Sequence, residues 1–186
     1  MARVGACIAT WSYIDAETAI LLGELLGVEN KAVLAVFHIL RQSRTQREVI
    51  LTAASSLQPR ELELLEATLD IHKSIEAERN ALAHGIIGVC PDIPDGIIWL
   101  PANEQINIRI QPQSSEFEFS RYAELYSKSY VYRDSDLLKL LQDINWLWIL
   151  WFRVLNHIRQ PVEAEYDDIS YGARMVQALA QLRQKK

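Results

Sequence analysis

Apolar positions along most of this chain recur in steps of three and four, the spacing of helices that bury one face. From Ile8 to Leu26 the repeat runs through Ile8, Trp11, Ile14, Leu21, Leu22 and Leu25, and Gly27 supplies a stop. Asn30 is placed to cap a second helix through Ala32, Val33, Val36, Phe37, Ile39 and Leu40. A short break is expected between Ser43 and Gln46, after which the pattern resumes through Val49, Ile50 and Leu51 to Leu57. Pro59 suits a first helical turn, and Leu62, Leu65, Leu69, His72, Ile75 and Leu82 outline a third long helix that Gly85 ends.

Beyond Gly85 the period changes. Pro91, Pro94 and Pro101 exclude a continuous helix, Asp95-Gly96 signals a turn, and Ile97-Ile98-Trp99-Leu100 is a short β-prone run. Ile106 to Ile110 alternates strictly, as a half-buried strand does, so the pattern predicts a hairpin whose tip spans Pro101 to Gln105. Phe117 to Tyr132 reads as a short helix running into extended chain. Asp134 and Asp136 are placed to cap a strong helix from Leu137 to Ile158, apolar on nearly every side around Trp146, Trp148, Trp151 and Phe152; Pro161 ends it. Tyr171 to Leu182 then reads as a terminal amphipathic helix before a basic tail. The sum is a mainly α protein, an up-and-down helical bundle in one domain spanning residues 1–186, with a small β-hairpin inserted at about 86–112 after the third long helix.

Composition supports a chain that folds: 49% of the 186 residues are apolar and 23% charged, far from the depleted-apolar signature of disorder. A formal charge of -5 argues against holding nucleic acid on a broad basic surface, so any such contact must be local. Cys7 and Cys90 are too few and too far apart for a disulfide framework, zinc site or redox motif. The N-terminal run lacks the uninterrupted apolar core of a secretory signal, and the most apolar window, Trp146 to Phe152, is far short of a membrane span. A cytoplasmic location and no membrane partner are therefore expected. No metal-ligand spacing, phosphate-binding loop or dinucleotide fingerprint is present, so neither metal nor cofactor is expected.

One cluster has the makings of chemistry. In Arg79-Asn80-Ala81-Leu82-Ala83-His84, Asn80 and His84 lie four apart and share a helical face, which Glu76 extends by one turn. Arg79 is about 140° around from His84 on an ideal helix, within bending reach for its long side chain. An imidazole can take the proton of a ribose 2′-hydroxyl, while a guanidinium stabilises charge growing on phosphate oxygens. The same three residues also suit a purely structural role, with Asn80 and His84 satisfying a helix end and Arg79 pairing with a carboxylate. Arg41, Arg44 and Arg47 recur every three residues; Arg44 and Arg47 are weaker candidates for phosphate contacts, although solvated helix charge is the commoner meaning of such a strip.

The seven residues from Arg79 to Gly85 resemble the R-N-x-x-x-H motif of the HEPN superfamily of helical bundles, many of whose members are ribonucleases. The resemblance implies a homodimer that brings two motifs together and cleaves RNA without a metal, leaving a 2′,3′-cyclic phosphate. It assigns Arg79, Asn80 and His84 as catalytic residues of a toxin or a defence or stress effector, with an antitoxin-like protein as a further partner. Other members bind nucleotides or proteins without cleaving RNA, so a non-catalytic dimeric binding module is the alternative.

Overall fold

The structure is a computed structural model that describes residues 1–28, 30–40, 42–104, 106, 127–160 and 168–169. The main elements among these follow in the order α1 (Ala2–Leu26), α2 (Asn30–Ile39), α3 (Ser43–Ala53), a 3₁₀ turn (Ala54–Ser56), α4 (Pro59–Ala83), β1 (Gly85–Gly88), β2 (Gly96–Pro101), β3 (Tyr130–Arg133) and α5 (Asp134–Arg159), the three strands forming one sheet. The mainly helical reading with a small antiparallel sheet holds. The chain divides into two compact units, one of residues 1–8 with 77–141, the other of residues 9–76 with 142 onward.

Each long helix buries a stripe that advances by three and four residues in alternation. On α1 it is Val4, Cys7, Trp11, Ile14, Thr18 and Leu21; on α5 it is Leu137, Leu140, Ile144, Leu147, Trp151 and Val154; all twelve are buried. That mean step of 3.5 keeps one seam inward along the whole helix. The apolar count for α1 therefore needs correction at Ile8, which is 38% exposed, because Cys7 holds the seam position beside it. Helix α1 also starts at Ala2, six residues before the expected point. It ends as expected at Gly27, whose φ of 62° puts it in the left-handed region. There the Val28 N–H donates to Gly23 O at 3.1 Å and the Gly27 N–H to Glu24 O at 3.2 Å, a Schellman closure.

Helix α2 begins at Asn30; the capping role expected of that side chain lies outside what is described. Val33 and Phe37 are buried, but Val36 and Ile39, read as part of the same apolar face, are exposed. Helix α2 ends at Ile39, and Ser43–Gln46, where the break was expected, already belong to α3. Gln46 explains the shift: its backbone N–H donates to Gln42 O at 3.0 Å and its side-chain amide to Leu40 O at 2.7 Å, so the new helix is tied down from within its own first turn. Pro59 does sit in the first turn of α4, where Glu61 reaches back to accept the Gln58 N–H at 3.0 Å. At the start of α5, Asp136 caps as expected, accepting the Arg133 N–H at 2.9 Å. Of its aromatics only Trp151 is fully buried, while Trp146 and Phe152 are more than half exposed.

The hairpin exists but with a different partner. Strand β2 pairs antiparallel with β1 on one side, Ile87 opposite Trp99, and with β3 on the other, Trp99 opposite Tyr130. Its turn is the 89–95 segment that contains Pro91 and Pro94, which have no N–H to lose there. Residues 102–104 and Ile106 are helical, so the expected hairpin tip and the start of the expected second strand are not extended; residues 107–110 and the insert's end at 112 lie outside the described residues. Tyr130–Arg133 is extended, as the end of the 117–132 reading anticipated, while 117–126 and the terminal helix at 171–182 lie outside the described residues. The buried central strand carries Ile97, Trp99 and Leu100, flanked by two four-residue edge strands.

No described helix is long and apolar enough to cross a membrane. Both cysteines are free: Cys7 is buried, its thiol donating to Leu137 O at 3.7 Å, and Cys90 is half-buried.

Candidate functional site

The residues of the R-N-x-x-x-H stretch fall in the first unit, at the C-terminal end of α4. On this helix Leu65, Thr68, Ile75 and Leu82 are buried, and the half-buried His72 and Arg79 complete a line that again advances in steps of three and four. Arg79 thus occupies a seam position, where packing alone calls for an apolar side chain, and it is half-buried there. Its Nη1 donates to the Asn80 side-chain oxygen at 2.6 Å, a charge-assisted bond that fixes both groups. Asn80 is also half-buried, and its backbone carbonyl accepts the His84 N–H at 3.0 Å, so helical hydrogen bonding continues through His84. His84 itself is exposed. The structure therefore joins Arg79 to Asn80 directly and sets His84 one hydrogen-bonded turn beyond Asn80 on the solvent side.

The remaining candidates are engaged elsewhere. Glu76, read as an extension of the polar line, accepts a hydrogen bond from the Ser43 hydroxyl in the second unit. Arg44 pairs with Glu48 at 2.9 Å, both side chains exposed. Arg47 pairs with Asp70 at 2.8 Å. Both arginines belong to the second unit, each already holding a carboxylate, and Arg41 lies outside the described residues. His72 is half-buried against core aromatics: its Nδ1 accepts the Trp151 indole N–H at 3.1 Å, and it lies edge-on to Trp11 and Trp151 at 5.1 and 5.8 Å between ring centroids. With Nδ1 accepting, its neutral ring carries the proton on Nε2.

Sequence reasoning expected extended chain at Trp99 and up to Tyr132 but not the pairing that brings these residues together. Trp99, Tyr130 and Tyr132 share one face of β2 and β3, with Trp99 5.7 Å from Tyr130 and 6.3 Å from Tyr132 between ring centroids. The Trp99 indole lies directly over Gly85, the residue after His84: a Cβ there would sit 1.6 Å from its Nε1. Gly85 is thus required by close approach across the sheet, not by a left-handed helix end, since Gly27 has the only positive φ among the described residues. Trp99 Nε1 is buried and meets no acceptor among the described residues. Burial pushes the Tyr132 phenol above the ordinary tyrosine range, with the Glu78 and Asp136 carboxylates and Tyr130 adding to the shift, so it stays a neutral hydroxyl. The alternation in Tyr130-Val131-Tyr132 was the available signal for extended chain here; its four-residue length and lack of a local partner hid which strand it pairs with.

Among the described residues no group of three or more His, Cys, Asp or Glu side chains is arranged to hold a metal ion. Comparison with known proteins yields no match to any family model, curated protein or solved structure.

Proposed function

We propose that the protein is a metal-independent endoribonuclease of the HEPN type: an up-and-down helical bundle that works as a homodimer, with Arg79, Asn80 and His84 as its catalytic set. The observation that carries this reading is Arg79, a permanently charged, half-buried side chain near the end of α4 that is hydrogen-bonded to Asn80, with His84 exposed one turn further on. Proteins break their own packing pattern chiefly where function requires it. The three-and-four seams of α1, α4 and α5 support the bundle.

In this mechanism an imidazole takes the proton from a ribose 2′-hydroxyl, and the 2′-oxygen attacks the adjacent phosphorus. Arg79 stabilises the charge that accumulates on the non-bridging oxygens, and Asn80 holds the guanidinium in place. The bond from phosphorus to the 5′-oxygen breaks, that oxygen leaves with a proton from a second imidazole or water, and a 2′,3′-cyclic phosphate and a 5′-hydroxyl remain. Two copies of the chain supply the two imidazoles. A toxin or defence effector held in check by a protein partner would use this chemistry.

Purified protein incubated with end-labelled RNA in EDTA is expected to release cyclic-phosphate ends. His84→Ala and Arg79→Ala should each lower the rate by about 10²-fold or more. Equal cleavage by all three proteins, or none by any, overturns the ribonuclease; RNA or nucleotide bound without cleavage supports the binding-module alternative instead.

A further inference from the structure

Tyr130 is both solvent-facing and braced, and it belongs to the same unit as Arg79, Asn80 and His84. It is 61% exposed, yet one side of its ring packs against Trp99, which is only 8% exposed and lies over Gly85. One aromatic face therefore runs from solvent at Tyr130, through Trp99, to the residue that follows His84. The cations that flank Tyr130 in sequence are paired with carboxylates, Lys128 with Glu104 at 2.8 Å and Arg133 with Asp95 at 2.5 Å, and Arg133 alternates onto the other face of β3. A ligand bound at Tyr130 would therefore be held by ring stacking and not by charge, in keeping with the net charge of -5.

We propose that Tyr130, backed by Trp99, is a stacking seat for an unpaired nucleobase of the RNA strand presented to Arg79, Asn80 and His84. This rests on the ribonuclease reading for its choice of ligand and names the substrate class as single-stranded RNA. A base can lie flat on an aromatic ring only when it is out of a duplex, and such stacking tolerates any base because each has a π-face. The seat holds the strand by a base while Arg79 meets the phosphate, so the two contributions to affinity differ in their response to salt. The stacking part is insensitive to ionic strength and the guanidinium part weakens with it.

The test uses a fluorescein-labelled 2′-O-methyl oligoribonucleotide of about ten nucleotides, which cannot be cleaved, with binding followed by anisotropy. Tyr130→Ala and Tyr130→Leu should each weaken binding by about 5- to 150-fold, and Tyr130→Phe by less than about threefold. The ratio between wild type and Tyr130→Ala should be the same at low and physiological salt, and a duplex of the same sequence should not distinguish them. Tyr130→Leu keeps apolar bulk without a π-face, so it guards against a loss caused by misfolding of the alanine variant. Wild-type affinity in Tyr130→Leu, or no binding of the single strand by wild type, overturns the seat. His84-dependent cleavage of unmodified RNA alongside unaltered binding by Tyr130→Leu removes the seat and leaves the ribonuclease standing. Tyr130-dependent binding without cleavage does the reverse.

Discussion

Arg79 poses the sharpest question at the scale of single residues, because a side chain that serves packing and one that serves catalysis respond oppositely to an apolar replacement. A charge on a half-buried seam costs desolvation that its partners only partly return, so Arg79→Met should leave unfolding free energy within about 1 kcal/mol of wild type or raise it. The same change should lower RNA cleavage by about 10²- to 10³-fold. Denaturant melts paired with the cleavage assay read both quantities; a loss of several kcal/mol would mark the arginine as structural. Tyr132 offers a pH test. Its folded value is raised, so its contribution is complete below the ordinary tyrosine value of about 10 and is lost as pH rises from there toward the folded value. Tyr132→Phe should flatten the alkaline limb of a stability profile above about pH 10 and leave the neutral region unchanged in shape, as thermal melts across a pH series would show.

Within elements, the three long helices were legible because a one-sided buried stripe leaves a periodic trace, and α4 and α5 lie within a few residues of the expected bounds. What the trace misses is its exact phase where a small or polar residue takes a seam position. Cys7, Thr18, Thr68 and Arg79 all do so, the two threonines by returning their hydroxyls to the carbonyls of Ile14 and Leu64. The sheet was less legible for a different reason. Alternation marks a strand but not its partner, and here β2 takes β1 across a proline-containing turn and β3 from thirty residues further on. Of the site, the motif residues were visible as a sequence pattern, whereas the aromatic face beside them depends on pairing that no local pattern encodes. Gly85 sits at that junction. Gly85→Ala would drive a methyl group into the Trp99 indole, so it should cost at least about 1–3 kcal/mol in a denaturant melt. Much of that loss should return in the double variant with Trp99→Leu, because the two changes share one contact. Strict additivity of the two would show that the glycine matters for another reason.

At the scale of the whole molecule, charge constrains how RNA can be held. With 24 acidic side chains against 19 basic ones, the long-range field does not draw in a polyanion, and among the described cations Arg3, Arg44, Arg47, Lys128, Arg133, Arg153 and Arg159 each pair with a carboxylate. Affinity must then come from few phosphate contacts, and the salt dependence of binding counts them. Each phosphate neutralised on a single strand contributes a slope of about -0.7 to a plot of log affinity against log salt. One guanidinium from each motif of a homodimer gives a slope of about -1.4, and Arg79→Met should bring it toward zero while Tyr130→Leu lowers affinity without changing it. Titrations of the uncleavable strand from low to physiological salt measure this directly. A slope steeper than about -4 would require a basic surface that the described residues do not provide, and would move the binding site away from the end of α4.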